Sequence, residues 1–306
     1  MSRIALSPPV PDPTKIFQPG LFKGKVVFAT GGGSGIVMEM VKALMQLGAN
    51  GIIVSRTKEK IEASAAELSR ETGQKCIGLA ADVRSPDQLK EAVEKGVKVQ
   101  GKIDFVICGA AGNFLAPISG LSENAFKTVI DIDTIRYLRS CQLGTYNTVK
   151  ATMEYVKATH GAYIHVSATL HYRGLIFQAH ASAAKAAVDA LSQVVAVELG
   201  PFGVRSNIVA PGAILGTVGM DKLSKKQDGS SQMGDAMLGR WGQKSDISCM
   251  ACYLFSDAGA WITGHKFVVD GGELHSPPMM TGVGGFPYPQ AVIDPASVAD
   301  MIKARL

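Results

Sequence analysis

Short apolar runs alternate with longer stretches of helical period along most of this chain. Val26 to Ala29 is a continuous apolar run with β-branched residues, ended by a glycine cluster. That is the pattern of a strand buried on both faces of a parallel sheet. Met38 to Leu47 follows with apolar side chains at Met38, Val41, Leu44 and Met45, one face of a helix. The alternation then repeats. Strands are expected at Gly51–Ser55, Lys75–Ala81, Ile103–Cys108, Ala162–Ser167, Val204–Ala210 and Lys266–Val269. Helices are expected at Lys58–Arg70, near Pro86–Val99, from Leu121 through Val129–Thr134, over Gln178–Leu199 and at Asp246–Phe255. Strands recur at about 25-residue spacing in the first half, which implies right-handed βαβ units. The predicted fold class is α/β, a single doubly wound parallel sheet with helices on both faces.

The stretch Lys25 to Ile36, K-V-V-F-A-T-G-G-G-S-G-I, joins a strand, a glycine turn and a helix. Glycines let the backbone turn sharply and approach a ligand, and the helix N-terminus offers N–H groups to a pyrophosphate. Thr30, Gly31, Gly33, Ser34, Gly35 and Ile36 are therefore expected to bind a dinucleotide, and the sheet is of Rossmann type. Ser55-Arg56 ends the second strand with no acid. An acid at this place bonds a ribose 2′-OH, whereas an arginine pairs with a 2′-phosphate, so NADPH is the expected cofactor. The alternative is that Arg56 is a solvated surface side chain. Asp82 follows the third strand and is placed to contact the adenine. Ala110, in the small-residue loop Cys108 to Pro117, leaves room for a ligand at the carboxyl edge of the sheet.

Residues 1–20 read as a proline-rich arm, 21–273 as the domain and 274–306 as a tail. The polar, glycine-rich stretch 216–242 reads as a mobile substrate lid. Lys plus Arg exceed Asp plus Glu by 31 − 26 = 5. The excess is scattered, so it suits a ligand with several phosphates rather than nucleic acid. Five cysteines without framework spacing indicate a reducing compartment. Cys249 and Cys252 form a C-x-x-C inside an apolar helical run, where core packing outweighs redox chemistry. The six histidines show no metal-ligand spacing, so no metal is expected. No apolar stretch reaches the length of a membrane span, so no membrane insertion is expected. Ala304-Arg305-Leu306 ends the sequence as a small–basic–leucine triplet similar to a peroxisomal address, and implies recognition by the peroxisomal import receptor.

T-G-G-G-S-G-I, D-V, A-A-G, Lys185 in its helix, V-A-P-G and D-G-G appear in order. With them the chain resembles the short-chain dehydrogenase/reductase family across about Leu21 to Gly272. Within it, G-A-A-G-N-F-L-A-P, F-K-T-V-I-D-I-D-T, S-A-T-L and Q-A-H-A-S-A-A-K-A-A-V-D-A-L are most similar to peroxisomal 2,4-dienoyl-CoA reductases. The usual carbonyl reductases of the family carry an Asn–Ser–Tyr–Lys set. Here Ala181 stands at the tyrosine position and Ala168 at the serine position. Reduction of a carbonyl needs an acid to protonate the alkoxide, so ordinary ketoreduction is not expected. The resemblance implies hydride transfer to C5 of a 2,4-dienoyl-CoA, protonation at C2 and a 3-enoyl-CoA product. It assigns Asp133 to hold the proton-delivering water, Lys185 to the nicotinamide ribose, and Pro211, Gly212 and Ile214 to the cofactor. It assigns Arg84, Phe114 and the segment Ser122 to Asn124 to the acyl-CoA. A homo-oligomer is expected by analogy.

The chain departs from the family pattern at four places. Val37 replaces a glycine that permits close helix–strand packing. Cys108 replaces an asparagine, and Ser206 occupies an ordinarily apolar strand position. Ile135 to Gln142 looks inserted beside Asp133, and is expected to loop out, with the helix resuming near Leu143. Two alternatives therefore stand beside the dienoyl-CoA reading. One is a catalytically impaired relative that keeps the fold; the other is a reductase of a different acyl-CoA or enone.

Overall fold

A computed structural model describes residues 12–133, 144–217 and 236–275. Its strands are β1 (Val26–Thr30), β2 (Asn50–Ser55), β3 (Cys76–Ala80), β4 (Phe105–Cys108), β5 (Ala162–Val166), β6 (Arg205–Pro211) and β7 (Lys266–Val269). They form one sheet in the order β3-β2-β1-β4-β5-β6-β7, and every pairing is parallel. The helices are α1 (Gly35–Gln46), α2 (Lys58–Thr72), α3 (Pro86–Gln100), α4 (Glu123–Asp133), α5 (Gly144–Thr159), α6 (Ala179–Leu199) and α7 (Lys244–Phe255). This is the doubly wound sheet that the alternating pattern predicts.

Side chains that alternate along a strand reach opposite faces, and the two cores follow that rule. Val27, Ala29, Ile53 and Ile107 pack with Leu44 and Met45 of α1 and Ile247 of α7. Val26, Phe28, Ile52 and Val106 pack with Leu89 and Val93 of α3, Val156 of α5 and Val195 of α6. Both faces of the central strands are therefore covered, which is why those strands read as continuous apolar runs.

Several boundaries shift by one to three residues from the expected ones. β4 starts at Phe105 rather than Ile103, because the Asp104 carboxylate accepts the Val26 N–H at 2.8 Å and pairs with Lys25 and Lys102. α1 starts at Gly35, ahead of the first apolar residue of its periodic face. α3 opens as its sequence suggests: Ser85 accepts the Gln88 N–H, and Pro86 follows at the first helical position. α5 begins at Gly144 and buries Val149 and Val156, so the helix there is in register with the sheet. The segment Ile135 to Gln142, the centre of the expected lid and the C-terminal tail lie outside the described residues.

Ser206 is not a misfit in its strand. It is fully buried, its hydroxyl lies 3.1 Å from His165 Nε2 and 3.0 Å from Ser192 Oγ, and so its polar group is satisfied. Cys249 and Cys252 both lie on α7, with no disulfide between them. Burial pushes the Cys249 thiol up to about 11 and raises Cys252 further, which suppresses the reactive thiolate. Packing is their role. No helix among the described residues is long and apolar enough to cross a membrane.

Candidate active site

The glycine turn after β1 is built by three tethers. The Gly31 N–H donates to Val54 O at 2.9 Å, and the Ser64 hydroxyl donates to Gly33 O at 3.1 Å. Thr30 Oγ1 accepts the Gly109 N–H at 3.3 Å, which joins the ends of β1 and β4. Gly31 has φ +74°, and a Cβ there would lie 2.7 Å from Gly109 O, so this position requires glycine. Gly35 has φ +65° and open space where its Cβ would project. Ser34, the residue before α1, makes no side-chain cap. The first N–H groups of α1 therefore face an open cradle, as a pyrophosphate needs. Ile36 packs on the core from one side of that turn. A dinucleotide fits this site.

Val37 is buried against the neighbouring loop, and a Cβ on Gly109 would clash with its Cγ2. The bulk that a glycine at 37 would spare is thus accommodated by the bare backbone at 109. Cys108 is buried at the end of β4, and Ala110 follows Gly109 half-buried at the cradle's edge. On the adenine side Arg56 is exposed after β2. After β3, Arg84 grips the Asp82 carboxylate, with Nη2–Oδ2 at 2.6 Å and Nε at 3.0 Å from both oxygens. Arg84 holds this carboxyl below the usual range despite its burial, and the charge of Arg56 adds to the effect. Two residues expected to meet different ligands are therefore partners of each other.

α6 carries the residues beside the expected nicotinamide site. Lys185 is buried, and its Nζ donates to Val166 O at 3.1 Å. Ala181, one turn earlier, is buried and supplies no acid. Asp133 is the last residue of α4; its side chain is outside what the structure describes. One turn after Lys185, the buried Asp189 accepts from Tyr172 at 2.7 Å, lies 2.8 Å from His171 Nε2 and has Lys266 at 3.5 Å. Burial, and then the Asp189 carboxylate, push the Tyr172 hydroxyl up. Tyr172 is therefore a poor substitute for the missing acidic tyrosine. Its bond to Asp189 fastens the turn after β5 onto α6.

Arg173 pairs with Glu273 at 2.7 Å, and Glu273 accepts the Ala213 N–H at 3.2 Å. This ties the same turn to the loop after β6. Pro211, the last residue of β6, is buried, and the Gly212 N–H after it donates to Val269 O at 3.1 Å. Ile214 is buried and bridges to Gly242, so only its backbone is available to a cofactor.

On the substrate side, Phe114 stacks on His180 with ring centroids 4.2 Å apart and 22° between planes. The Ser122 hydroxyl accepts the Ala125 N–H at 3.2 Å at the start of α4, and Asn124 is exposed on the first turn. The loops after β1 to β6 all open at the carboxyl edge, where the strand order reverses between β1 and β4 and such sheets bind ligands. A separate cavity of about 640 Å³ at the opposite edge, lined by Lys25, Asp104, Arg205 and Trp261, contains none of the residues expected in the site. Gln178, His171, Tyr172 and Asp189 were not singled out from the sequence. Their signal was a cluster of polar residues at a strand–helix junction, H-Y-R and Q-A-H.

The fold, the phosphate cradle and the buried lysine define a nicotinamide-dependent oxidoreductase, and the chain belongs to the short-chain dehydrogenase/reductase family. The family profile described as Enoyl-(Acyl carrier protein) reductase matches residues 31–273. The chain is 44% identical over 280 residues to the peroxisomal 2,4-dienoyl-CoA reductase SPS19 of Saccharomyces cerevisiae, covering 90% of this chain and 92% of that protein. It is 43% identical to the peroxisomal 2,4-dienoyl-CoA reductase of Rattus norvegicus, covering 84% and 86%. Among solved structures it is similar to a short chain dehydrogenase from Bacillus anthracis, with TM-score 0.70 and 33% identity over 82% of this chain and 97% of that one. A citronellol catabolism dehydrogenase of Pseudomonas aeruginosa gives TM-score 0.72 at 27% identity, covering 85% and 98%.

Proposed function

We propose that this chain is a 2,4-dienoyl-CoA reductase of the peroxisome, which uses NADPH to form 3-enoyl-CoA in the oxidation of unsaturated fatty acids. The observation that carries the reading is an open glycine turn at the start of α1 together with a buried Lys185 on α6, with Ala181 where an acid would serve a carbonyl reductase. The relatives named above, whose names give (3E)-enoyl-CoA as product, support it.

The residues that would hold the cofactor are the Thr30–Ile36 turn, Asp82 at the adenine, Ala110, Lys185 and the Pro211–Ile214 loop. Arg56, exposed and with no acid in its place, favours a 2′-phosphate. When bound, NADPH supplies the hydride for C5 of the dienoyl chain. The protein must then stabilise negative charge on the thioester oxygen and deliver a proton to C2. Lys185 places a positive charge at the ribose side of that reaction. Asp133, by likeness to the family, holds the water that protonates C2. By likeness to the family, Arg84, Phe114, Ser122 and Asn124 would meet the acyl-CoA, and Arg84 would then exchange its Asp82 partner for a CoA phosphate. Subunits would associate as a homo-oligomer.

The test is NADPH oxidation by the full-length protein with a 2,4-dienoyl-CoA. Turnover is expected, with little on simple ketones. Asp133→Ala should lower kcat strongly with NADPH affinity nearly intact, because its role begins after hydride transfer. Lys185→Ala should weaken both. Absence of dienoyl-CoA turnover in the parent protein sinks the reading; full turnover in the Asp133 variant sinks only the proton-relay assignment.

A further inference from the structure

The loop after β4 and the segment leading into α6 meet in a seam held by few bonds. Phe114 lies on the His180 ring at 4.2 Å, and the Ala116 N–H donates to Phe177 O at 3.2 Å. Inside the seam, His180 and Gln178 are fully buried. By strict geometry neither nitrogen of His180, neither amide atom of Gln178, nor the Asn113 Oδ1 has a hydrogen-bond partner; the Phe114 carbonyl makes only a loose contact with the His180 ring. Native interiors pair nearly all such groups, so several unpaired ones at one place point to a ligand they receive. Phe177, at the mouth, has φ +63°, a left-handed conformation that a bulky non-glycine residue adopts only under constraint and that collects at functional sites. The rim is apolar: Leu115, Ile118, Leu175, Ile176 and Phe177 are all exposed.

A polar floor beneath an apolar rim matches a conjugated acyl thioester, which has one strong acceptor at the end of a hydrocarbon chain. We propose that this seam receives the thioester and that His180 is a catalytic residue, donating one N–H to the carbonyl oxygen. The assignment rests on the dienoyl-CoA reading above. Phe114 covers the imidazole, so it must swing off the ring to admit the substrate. Hydride addition at C5 moves the C4=C5 pair to C3=C4 and the C2=C3 pair to C1=C2, and the C1=O pair settles on oxygen. The His180 N–H strengthens its bond to that oxygen as charge arrives there, and keeps its proton. The enolate then collapses, and C2 takes a proton from water. Burial holds the His180 pKa below its ordinary value, and the loose hydrogen bond to the Phe114 carbonyl, which the substrate oxygen would replace, opposes this only in part. The ring is therefore neutral, a state in which one nitrogen still donates. A neutral imidazole polarising a carbonyl is established chemistry.

The experiment uses the full-length protein with two variants, His180→Phe, which keeps an aromatic ring under Phe114, and His180→Gln, which keeps a donor. Steady-state kinetics are read alongside the near-UV band of a 2,4-dienoyl-CoA bound in the presence of NADP⁺. A polarised thioester shifts that band to the red. His180→Phe should lower kcat by roughly 10²–10³-fold, the cost of one lost oxyanion donor, leave KM near the parent value and abolish the shift. His180→Gln should recover most of both. Parent-like kcat and shift in His180→Phe would overturn the proposal. So would equal losses in both variants accompanied by early thermal melting, which would mark His180 as a packing residue. A parent protein with no dienoyl-CoA turnover would instead overturn the reading on which the proposal rests, and this proposal with it.

Discussion

Arg56 and His165 illustrate how single side chains set measurable properties. Arg56 is exposed at the end of β2, with open solvent in which to meet a 2′-phosphate. A charge-assisted bond contributes about 1.5–3 kcal/mol, so Arg56→Ala should weaken NADPH binding by roughly 10–100-fold and leave NADH nearly unchanged. Dissociation constants from quenching of protein fluorescence will check this, and equal constants for both cofactors in the parent would reject it. His165 is fully buried in β5, and burial lowers its pKa from 6.5 to about 4, with the Asp189 charge opposing. The unfolded chain therefore takes up a proton near pH 6.5 that the folded chain accepts only near pH 4. Stability is complete above pH 6.5 and declines as pH falls through that window. His180, shifted in the same direction, adds to the slope. Urea melts at pH 7 and pH 5 should show the loss, and His165→Leu should flatten it. An unchanged slope in that variant would mean other groups carry the acid sensitivity.

At the scale of elements, the junction of α1 with the loop after β4 shows a local irregularity answered elsewhere. Val37 alone reads as a defect in a glycine turn, because its neighbours in sequence do not show what it touches. In the fold it fills the space beside Gly109. Adding a methyl at 109 should overpack the junction at a cost of about 1–3 kcal/mol. Gly109→Ala should thus be clearly destabilising, whereas Val37→Ala with Gly109→Ala should be less destabilised than the sum of the single variants. Denaturant melts of the four proteins measure this coupling; strict additivity would show that the two residues do not share the space. The elements themselves were legible because their signals are local. Helical period, β-branched runs and the Ser85-Pro86 start all lie within a few residues. The start of β4 was not, because Asp104 answers a backbone group on β1, far away in sequence.

For the molecule as a whole, the parallel sheet gathers the ends of its strands on one edge, and sequence order predicted which loops share it. The address triplet Ala304-Arg305-Leu306 lies outside the described residues, so its reading rests on sequence. Deleting it should leave a fluorescent fusion of this protein in the cytosol, and appending it to a reporter should bring that reporter to peroxisomes. A deletion that stayed peroxisomal would show that another signal operates. The sequence by itself determined the doubly wound sheet, the dinucleotide turn and the absence of a tyrosine before Lys185, since each is written in residues close together in the chain. Only the tertiary structure decided that Arg84 holds Asp82, that Asp189 anchors His171 and Tyr172, that Val37 rests against Gly109, and that Phe114 covers His180. Most of these pairs join residues from different elements, and the direction of a side chain toward a distant partner follows from how elements pack, which no local period encodes.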